Sequence, residues 1–320
     1  MTTPADTTAI LGRYRNTCII GGGVIGASWA ALFLAHGLNV VVNDPSPTIE
    51  QFVHDMLRKS APTLKALGLP HEGLEKNLRF EPDLERAVAN ADLVQENGPE
   101  RTEWKQELWA RIEKVVPKHA LLLSSSSGKP ATLQAELMQD PSRLLVGHPF
   151  NPPLLIPLVE VVPGEKTDPQ ATQDAVDFYE ALGKVARVIK KEVAGFVVNR
   201  LQRAIFREAC YLVKEGVVTI DELDDCVTNS VGLRWAVNGP FSSFYMGGGP
   251  TGFHGYFKQF GPGMKISWVN HSPIEYSDEI ANLVIQQGEV AYANTPMEQM
   301  EATRDVTQLA LLAAKAAVKK

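Results

Sequence analysis

The sequence predicts an α/β fold: a doubly wound, mostly parallel sheet followed by an all-helical C-terminal domain. Short apolar runs alternate with helical segments as far as Ile189, and the strand signal disappears from Phe196 onward. Alternating strands and helices are typical of a parallel sheet covered by helices on both faces. A chain of 320 residues is long for one ordinary core. We therefore predict two domains, residues 1–194 and 195–320.

The first apolar strand ends in a glycine-rich turn. Gly21, Gly23 and Gly26 have the G-x-G-x-x-G spacing, and Asp44 lies 18 residues beyond Gly26, after a helix and a second strand. These glycines allow a tight turn, a close backbone approach to a pyrophosphate and close helix packing, while the acid accepts ribose hydroxyls. A structural turn without a ligand is the alternative. In this context we predict a Rossmann dinucleotide site that prefers NAD to NADP, formed by Gly21, Gly23, Val24, Ile25, Gly26 and Asp44.

The other elements follow from periodicity and breaker residues. Residues 1–16 are polar and turn-rich, so we expect a loose lead-in to the first strand. Apolar runs predict strands at Cys18–Ile20, Leu38–Val42, Leu78–Phe80, Ala91–Glu96, Ala120–Leu123, Leu144–His148, Leu154–Val162 and Ala186–Ile189. Helical spacing and caps predict helices at Ser28–His36, Pro47–Leu67, Leu84–Val88, Thr102–Val116, Ala171–Leu182, Val197–Glu215, Ile220–Val227 and Pro296–Lys320.

Composition narrows the function classes. A formal net charge of -6 gives no reason to expect nucleic acid or an acidic membrane surface. The N-terminus lacks the apolar core of a signal peptide, and no apolar run reaches the ~18 residues of a membrane helix. Cys18, Cys210 and Cys226 form no C-x-x-C pair, which favours a reducing compartment. We expect a soluble cytoplasmic protein that acts on a small molecule.

Two predicted strands contain a polar residue where a buried strand requires apolar ones. His148 ends one strand, and Glu160 interrupts the next after one tight turn. A buried carboxylate without a partner is expensive, so pairing of the two strands could bring these side chains together. A carboxylate bonded to imidazole fixes its tautomer and orients it as a general base. The alternative is a satisfied core His–Glu pair without chemistry.

Two further polar features lie near the predicted ligand crevice. The run 124–127 consists of four serines that end a strand, where a hydroxyl can bond a substrate oxygen. An ordinary serine-rich turn is the alternative. Asn199 follows the domain junction, where its amide can cap a helix or reach into the crevice.

At these residues the sequence resembles the 3-hydroxyacyl-CoA dehydrogenase superfamily over nearly its whole length. The spans that carry the resemblance are GGGVIGASWA, QENGPERTEWKQELW, SSSSG, GHPFNPP, IPLVEVVPG and KEVAGFVVNRL. The resemblance implies a NAD-binding Rossmann domain, a helical domain that dimerises, and oxidation of a 3-hydroxy substrate. It implies that His148 is the catalytic base and Glu160 its partner. It also implies that Ser127 and Asn199 hold the substrate oxygen, and that Glu100 and Lys105 lie beside the nicotinamide half of NAD.

Within this family, residues 201–224 resemble both L-gulonate 3-dehydrogenases and L-carnitine dehydrogenases, and residues 231–268 favour the latter. The cations Arg58, Lys59 and Lys65 are few for a CoA-phosphate site, which counts against a 3-hydroxyacyl-CoA substrate. Aromatic residues crowd 235–268 and could hold a trimethylammonium group, although a core or a dimer interface is the alternative for most of them. The predicted substrate contacts are Asn151, Arg234, Trp235, Phe241 and Tyr245. A non-catalytic crystallin-like or NAD-sensing role remains a second class of function.

Overall fold

The computed structural model describes residues 4–267 and 296–318, together with positions 277, 279, 282, 283, 286, 287 and 294. The chain packs as two compact units, Met1–Arg200 and Leu201–Lys320. The predicted domain boundary after residue 194 lies close to this division and remains a prediction. Trp268, the last residue of the aromatic segment 235–268, lies outside the described residues.

The first unit contains an eight-stranded sheet with the order β3-β2-β1-β4-β5-β6-β7-β8. Neighbouring strands are parallel except for the antiparallel pair β6–β7. The strand order reverses beside β1, and ligands bind at the carboxyl edge of such a switch point. The strands are β1 Asn16–Ile20, β2 Asn39–Asn43, β3 Leu78–Phe80, β4 Leu93–Glu96, β5 Leu121–Ser124, β6 Leu144–Pro149, β7 Leu158–Pro163 and β8 Val185–Val188.

Helices flank this sheet and form the described part of the second unit, where no strand occurs. The predicted fold, a Rossmann-like sheet followed by a helical domain, is therefore confirmed. The helices are α1 Pro4–Arg13, α2 Val24–Ala35, α3 Ile49–Ala66, α4 Leu84–Val88, α5 Thr102–Ile112, α6 Ala131–Gln134, α7 Pro169–Ala181, α8 Val198–Lys214, α9 Ile220–Thr228, α10 Val231–Val237, α11 Pro240–Gly247, α12 Phe253–Ser267 and α13 Met297–Val318.

The prediction of a loose lead-in before β1 was wrong, because helix α1 occupies most of it. Long-range contacts with α7 hold this short helix in place. Tyr14 Oη, directly after α1, donates a 2.6 Å hydrogen bond to Asp174 Oδ2, and Arg13 lies 2.9 Å from the same oxygen. Tyr14 is 1% exposed. Local composition could not reveal these tertiary contacts.

The prediction of a strand from Leu154 was also wrong in its starting point, because β7 begins only at Leu158. Leu154 and Leu155 are buried, but they lie in a turn in which Leu155 N–H donates to Pro152 O at 3.0 Å. An apolar run alone does not distinguish a buried turn from a strand.

Helix α2 packs directly against the glycine turn that precedes it. A Cβ atom at Gly26 would lie 1.9 Å from Gly21 O, so only glycine fits there. Ten of the twelve residues of α2, among them Trp29 and Phe33, are buried. The close approach of this helix to β1 thus depends on one missing side chain.

We expect Gly26→Ala to lower the free energy of unfolding by about 1–3 kcal/mol, because the added methyl group meets backbone that cannot yield easily. Urea denaturation measures this. Gly12→Ala is the matched control, since a Cβ atom there has no neighbour within 4 Å and alanine favours helix by about 1 kcal/mol. Equal stability of Gly26→Ala and the wild type would contradict the prediction.

Candidate active site and cofactor cleft

The glycine turn after β1 has the backbone geometry that an anion site needs. Gly21 has φ of +86°, a conformation that glycine adopts without strain. Gly23 caps α2, no described side chain caps this helix end, and a Cβ atom at Gly23 would point into open space. The first-turn amides of α2, including those of Val24 and Ile25, therefore remain available to a pyrophosphate.

Asp44 joins the end of β2 to this turn. Its Oδ2 accepts a hydrogen bond from Gly22 N–H at 2.8 Å, and its Oδ1 accepts one from Ser46 N–H at 2.9 Å. Each carboxylate oxygen keeps lone-pair capacity for a further donor. The backbone thus fixes the acid in a position where it can accept ribose hydroxyls.

An open cleft of about 550 Å³ extends from the glycine turn past Asp44. Its size is in the range of ligand pockets. The glycine backbone at one end and the acid beside it fit the pyrophosphate and ribose of a dinucleotide. The cleft is lined by Ile20, Gly21, Gly23, Asn43, Asp44, Pro45, Leu84, Asn97, Gly98, Pro99, Trp104, Glu107, Leu108 and Arg111.

Lys105 is buried in an ion pair instead of lining the cleft. Its Nζ donates to both oxygens of Glu96, at 2.7 and 2.8 Å, and lies 3.8 Å from Glu100 Oε2. Glu96 also accepts from Ser124 Oγ at 2.6 Å and from Gly98 N–H at 2.6 Å. A buried carboxylate with four donor contacts is well satisfied, so this cluster fixes the segment that follows β4.

Glu100 is held by the serine-rich segment after β5. Its Oε1 accepts from Ser127 N–H at 2.6 Å and from Ser127 Oγ at 3.1 Å, and its Oε2 accepts from Ser126 Oγ at 2.7 Å. Burial alone would raise the pKa of Glu100, but these hydrogen bonds and the nearby Lys105 outweigh it and lower the pKa. Glu100 is thus a carboxylate that bridges the ends of β4 and β5.

His148 and Glu160 face each other across the antiparallel pair β6–β7. His148 Nδ1 lies 2.8 Å from Glu160 Oε2, and the two residues are 4% and 1% exposed. Glycine at position 147 lets Tyr179 pack beside the histidine, since a Cβ atom there would lie 2.0 Å from Tyr179 Oη. The structure therefore brings together the two polar residues that interrupt the apolar strands.

The second oxygen of Glu160 binds the start of α8. Val197 N–H and Val198 N–H each donate to Glu160 Oε1 at 3.0 Å. Phe196, with φ of +48° and no exposed surface, precedes these amides in a conformation that is unfavourable for a bulky residue. Burial alone would raise the pKa of Glu160, but the hydrogen bonds from His148 and the two amides lower it.

Asn199, Ser127 and Asn151 are the remaining predicted catalytic and substrate-binding residues of the first unit. Asn199 Nδ2 lies 3.4 Å from Ser127 O, which makes a long hydrogen bond. Asn151 is exposed in the segment after β6, next to Phe150, whose ring centre is 4.7 Å from that of His148. Ser127 and Asn199 are therefore neighbours, as a shared substrate oxygen would require.

The remaining predicted substrate contacts belong to the second unit. Arg234 and Trp235 lie in α10, whereas Phe241 and Tyr245 lie in α11. All four are exposed, and the Tyr245 ring packs edge-on against Phe253 at 5.3 Å. Their role in substrate binding remains a prediction.

Glu96, Ser124 and Ser126 have contacts in the site that the sequence analysis did not predict. One signal could have identified the first two: each is a polar residue at the end of a fully buried strand, and polar residues in buried strands also pointed to His148 and Glu160. Ser126 carried no signal of its own, since the four serines differ only in position.

The described residues contain no group of three or more His, Cys, Asp or Glu side chains arranged to hold a metal ion. Nor does any helix in the described ranges combine the length and apolar character needed to cross a membrane.

We expect Glu160→Gln to lower the free energy of unfolding by about 3 kcal/mol at pH 7, because a buried charged hydrogen-bond partner is lost. The folded pKa of Glu160 lies below its ordinary 4.5. The stabilisation by the carboxylate is therefore present above pH 4.5 and is lost as the pH falls through the folded pKa. Urea denaturation of both proteins from pH 7 to pH 3 measures the difference. A gap that stays constant over this range, or that Glu165→Gln at an exposed position reproduces, would refute the prediction.

The sequence of this chain is similar to those of known proteins. Residues 16–193 match the NAD-binding domain of 3-hydroxyacyl-CoA dehydrogenase, and residues 195–270 match its C-terminal domain. An L-carnitine dehydrogenase of Streptomyces coelicolor is 40% identical, over 91% of this chain and 92% of the relative. One of Pseudomonas putida is 40% identical, over 92% of both chains. One of Oceanobacillus iheyensis is 39% identical, over 91% of this chain and 95% of the relative.

Solved structures agree with these matches. The NAD⁺-dependent dismutase 5-formyl-3-hydroxy-2-methylpyridine 4-carboxylic acid 5-dehydrogenase superposes with a TM-score of 0.79 at 30% identity, covering 95% of this chain and 98% of that one. The (S)-3-hydroxybutyryl-CoA dehydrogenase of Ralstonia eutropha gives a TM-score of 0.61 at 25% identity, over 67% and 76% of the two chains. The chain therefore belongs to the 3-hydroxyacyl-CoA dehydrogenase family and is an NAD-dependent oxidoreductase.

Proposed function

We propose that the chain oxidises the 3-hydroxyl group of a small free 3-hydroxy acid to a ketone, with L-carnitine as its preferred substrate. The observation that carries the reaction is the buried contact between His148 Nδ1 and Glu160 Oε2 at 2.8 Å. Similarity to L-carnitine dehydrogenases, at 37–40% identity over more than 90% of the chain, supports the substrate. Family membership alone would leave the substrate open.

His148 is the proposed general base, and its tautomer follows from the acid beside it. A carboxylate can only accept hydrogen bonds, so the neutral imidazole must donate from Nδ1 to Glu160 and leave Nε2 free to take a proton. The lowered pKa of Glu160 keeps it a carboxylate at neutral pH. The imidazolium that forms when Nε2 takes the substrate hydroxyl proton is then stabilised by the adjacent negative charge.

Ser127 and Asn199 are proposed to hold the reacting oxygen. Ser127 Oγ donates to Glu100 in this structure, so its hydroxyl must turn to donate to a substrate. Asn199 uses one amide N–H in its long contact with Ser127 O, and its other N–H can donate to the same substrate oxygen.

Bound NAD supplies the hydride acceptor, which no side chain can replace. The fixed turn Gly21–Gly26 and the carboxylate of Asp44 are the residues proposed to hold it. Glu100 and Lys105 stabilise the segment between β4 and α5, which forms part of the cleft wall through Gly98 and Pro99. Positioned acid–base help from His148 contributes about 10²–10⁴ in rate.

A quaternary ammonium is the chemical feature that separates L-carnitine from other 3-hydroxy acids. Aromatic faces attract such a cation, with up to about 2 kcal/mol per desolvated ring. Trp235, Phe241 and Tyr245 are 38%, 79% and 54% exposed, and the exposed Arg234 guanidinium suits a carboxylate. We propose that members of this set bind the two ends of the substrate.

A CoA thioester is the second candidate, favoured by the likeness to a 3-hydroxybutyryl-CoA dehydrogenase. Arg58, Lys59 and Lys65 all lie on α3. Arg58 is already paired with Asp55, which leaves little positive charge for CoA phosphates. L-Gulonate is the third candidate substrate, because residues 201–224 also resemble L-gulonate 3-dehydrogenases.

We also infer a homodimer formed through the helical domain. Helix α8 leaves Leu201, Ile205 and Phe206 exposed by 55%, 45% and 61%. An apolar face of this kind on a helix favours burial against a partner. Sedimentation equilibrium of the wild type and of Phe206→Ser would separate a dimer from a monomer.

The substrate is tested by a panel with NAD that follows NADH absorbance: L-carnitine, L-gulonate, 3-hydroxybutyrate, 3-hydroxybutyryl-CoA and desmethyl analogues of carnitine. We expect kcat/KM for L-carnitine to exceed that of each other compound by at least about tenfold, since one good cation–π contact is worth about that much. Equal turnover of the desmethyl and trimethyl compounds would refute the aromatic site.

His148→Gln is the control for this panel, because it removes the base while a glutamine amide can still donate a hydrogen bond to Glu160. Its turnover of the best substrate should fall by about 10² or more, while NAD affinity, measured by calorimetry, stays within about twofold of the wild type. Turnover above about one tenth of wild type would contradict the assignment of the base. NAD binding without oxidation of any compound would favour a non-catalytic role.

A further inference from the structure

Lys184 is a buried lysine that belongs neither to the cofactor cleft nor to the His148–Glu160 pair. It stands in the turn between α7 and β8, after Gly183, whose φ is +77°. Its N–H donates to Tyr179 O in the last turn of α7 at 3.0 Å. Only 7% of Lys184 is exposed. Lysines are almost never buried to this extent without a partner. The groups that bind its Nζ atom therefore indicate what this lysine does.

Backbone carbonyls bind Lys184 Nζ. It donates to Pro153 O and to Ile156 O, the latter at 3.1 Å, and it lies 5.7 Å from the centre of the Trp29 ring. Burial lowers the pKa of Lys184 to about 7. Both the ammonium and the neutral amine carry the two N–H groups that these carbonyls accept, so both protonation states can make the two hydrogen bonds.

Both carbonyls belong to residues 150–157, the loop that joins β6 to β7. A second side chain holds the same loop, since Leu154 N–H donates to Ser28 Oγ at 2.9 Å. The loop begins two residues after His148, the proposed base. Ser28 therefore attaches this loop to α2, and Lys184 attaches it to the turn between α7 and β8.

The first residue of the loop borders the imidazole. The Phe150 ring centre lies 4.7 Å from that of His148, and Asn151 follows with an exposed side chain. We propose that Lys184 is a positioning residue for the substrate, because its two hydrogen bonds fix the loop in which Phe150 lies beside the imidazole and Asn151 is the next residue. This inference rests on the proposed function, in which the substrate hydroxyl meets that imidazole.

Loss of the Nζ donor would displace the loop 150–157 more than it would displace His148. An unpaired buried carbonyl is unfavourable, so Pro153 and Ile156 would turn toward water and move the loop with them. His148 keeps its own bond to Glu160 and stays in place. The expected defect is therefore in substrate binding more than in the chemical step.

Lys184→Met tests this with steady-state kinetics at saturating NAD, using whichever 3-hydroxy acid the wild type oxidises. We expect KM for the hydroxy acid to rise about tenfold and kcat to change less than about threefold. NAD affinity should stay at its wild-type value. Amide hydrogen exchange should be faster at Leu154, Leu155 and Ile156, and unchanged in β1. Lys190→Met, at an exposed position, is the matched control and should leave all these quantities unchanged.

Chemical rescue separates positioning from a general structural role. Lys184→Ala lacks a propylammonium fragment, and added propylammonium should lower its KM toward the wild-type value. Tetramethylammonium, which has no N–H donor, should not. The wild type with the same amines controls for inhibition. A KM that no amine changes would indicate a structural role only and would overturn the proposal.

A wild-type KM in Lys184→Met overturns the proposal as well. If that variant does not fold, Lys184→Gln decides in the same assay, because its shorter side chain cannot reach both carbonyls: a raised KM supports the proposal and a wild-type KM overturns it. A different result would refute the proposed function. If the wild type prefers another hydroxy acid to L-carnitine, the substrate assignment is lost, while the Lys184 comparison is made with that compound.

Discussion

The carboxylate of Glu160 is the interaction on which the candidate site depends. It lies in a strand that is buried on both sides, and without partners it would be strongly unfavourable. One oxygen contacts His148 across β6–β7 and the other binds two amides at the start of α8. The strand register, the helix start and the left-handed backbone of Phe196 are therefore fixed together. A change in any one of them would leave a charge unpaired in the interior.

Two further carboxylates are held in a similar way near the cofactor cleft. Glu96 ends β4 and Glu100 follows it, and both accept hydrogen bonds from serines at or just after the end of β5 and lie near Lys105. Asn199 connects the two regions through its contact with Ser127 O. Three carboxylates thus hold the loops at the carboxyl edge of the sheet. Such preorganisation lowers the reorganisation required when cofactor and substrate bind.

The features that could be predicted from the sequence are those with a local signal, either a motif or a polar residue within an apolar strand. The glycine spacing predicted the tight turn after β1, and polar residues in apolar runs pointed to His148 and Glu160, which the structure brings into contact. Helix α1 was missed because its stability comes from contacts with Asp174, far away in sequence. Lys184 was missed because a lysine after a glycine turn is typical of an exposed loop. The positive φ at Phe196 could not be predicted, since Gly195 beside it is the expected residue for that conformation.

The central claim, that Glu160 sets the tautomer of His148, is tested most directly by ¹⁵N NMR of the histidine ring. The spectrum is recorded on the alkaline side of histidine titration, with the signals assigned by their loss in His148→Gln. We predict a proton on Nδ1 and a bare Nε2, with this preference weakened in Glu160→Gln. A proton on Nε2 in the wild type would contradict the claim, because the nitrogen proposed to take the substrate proton would already be occupied.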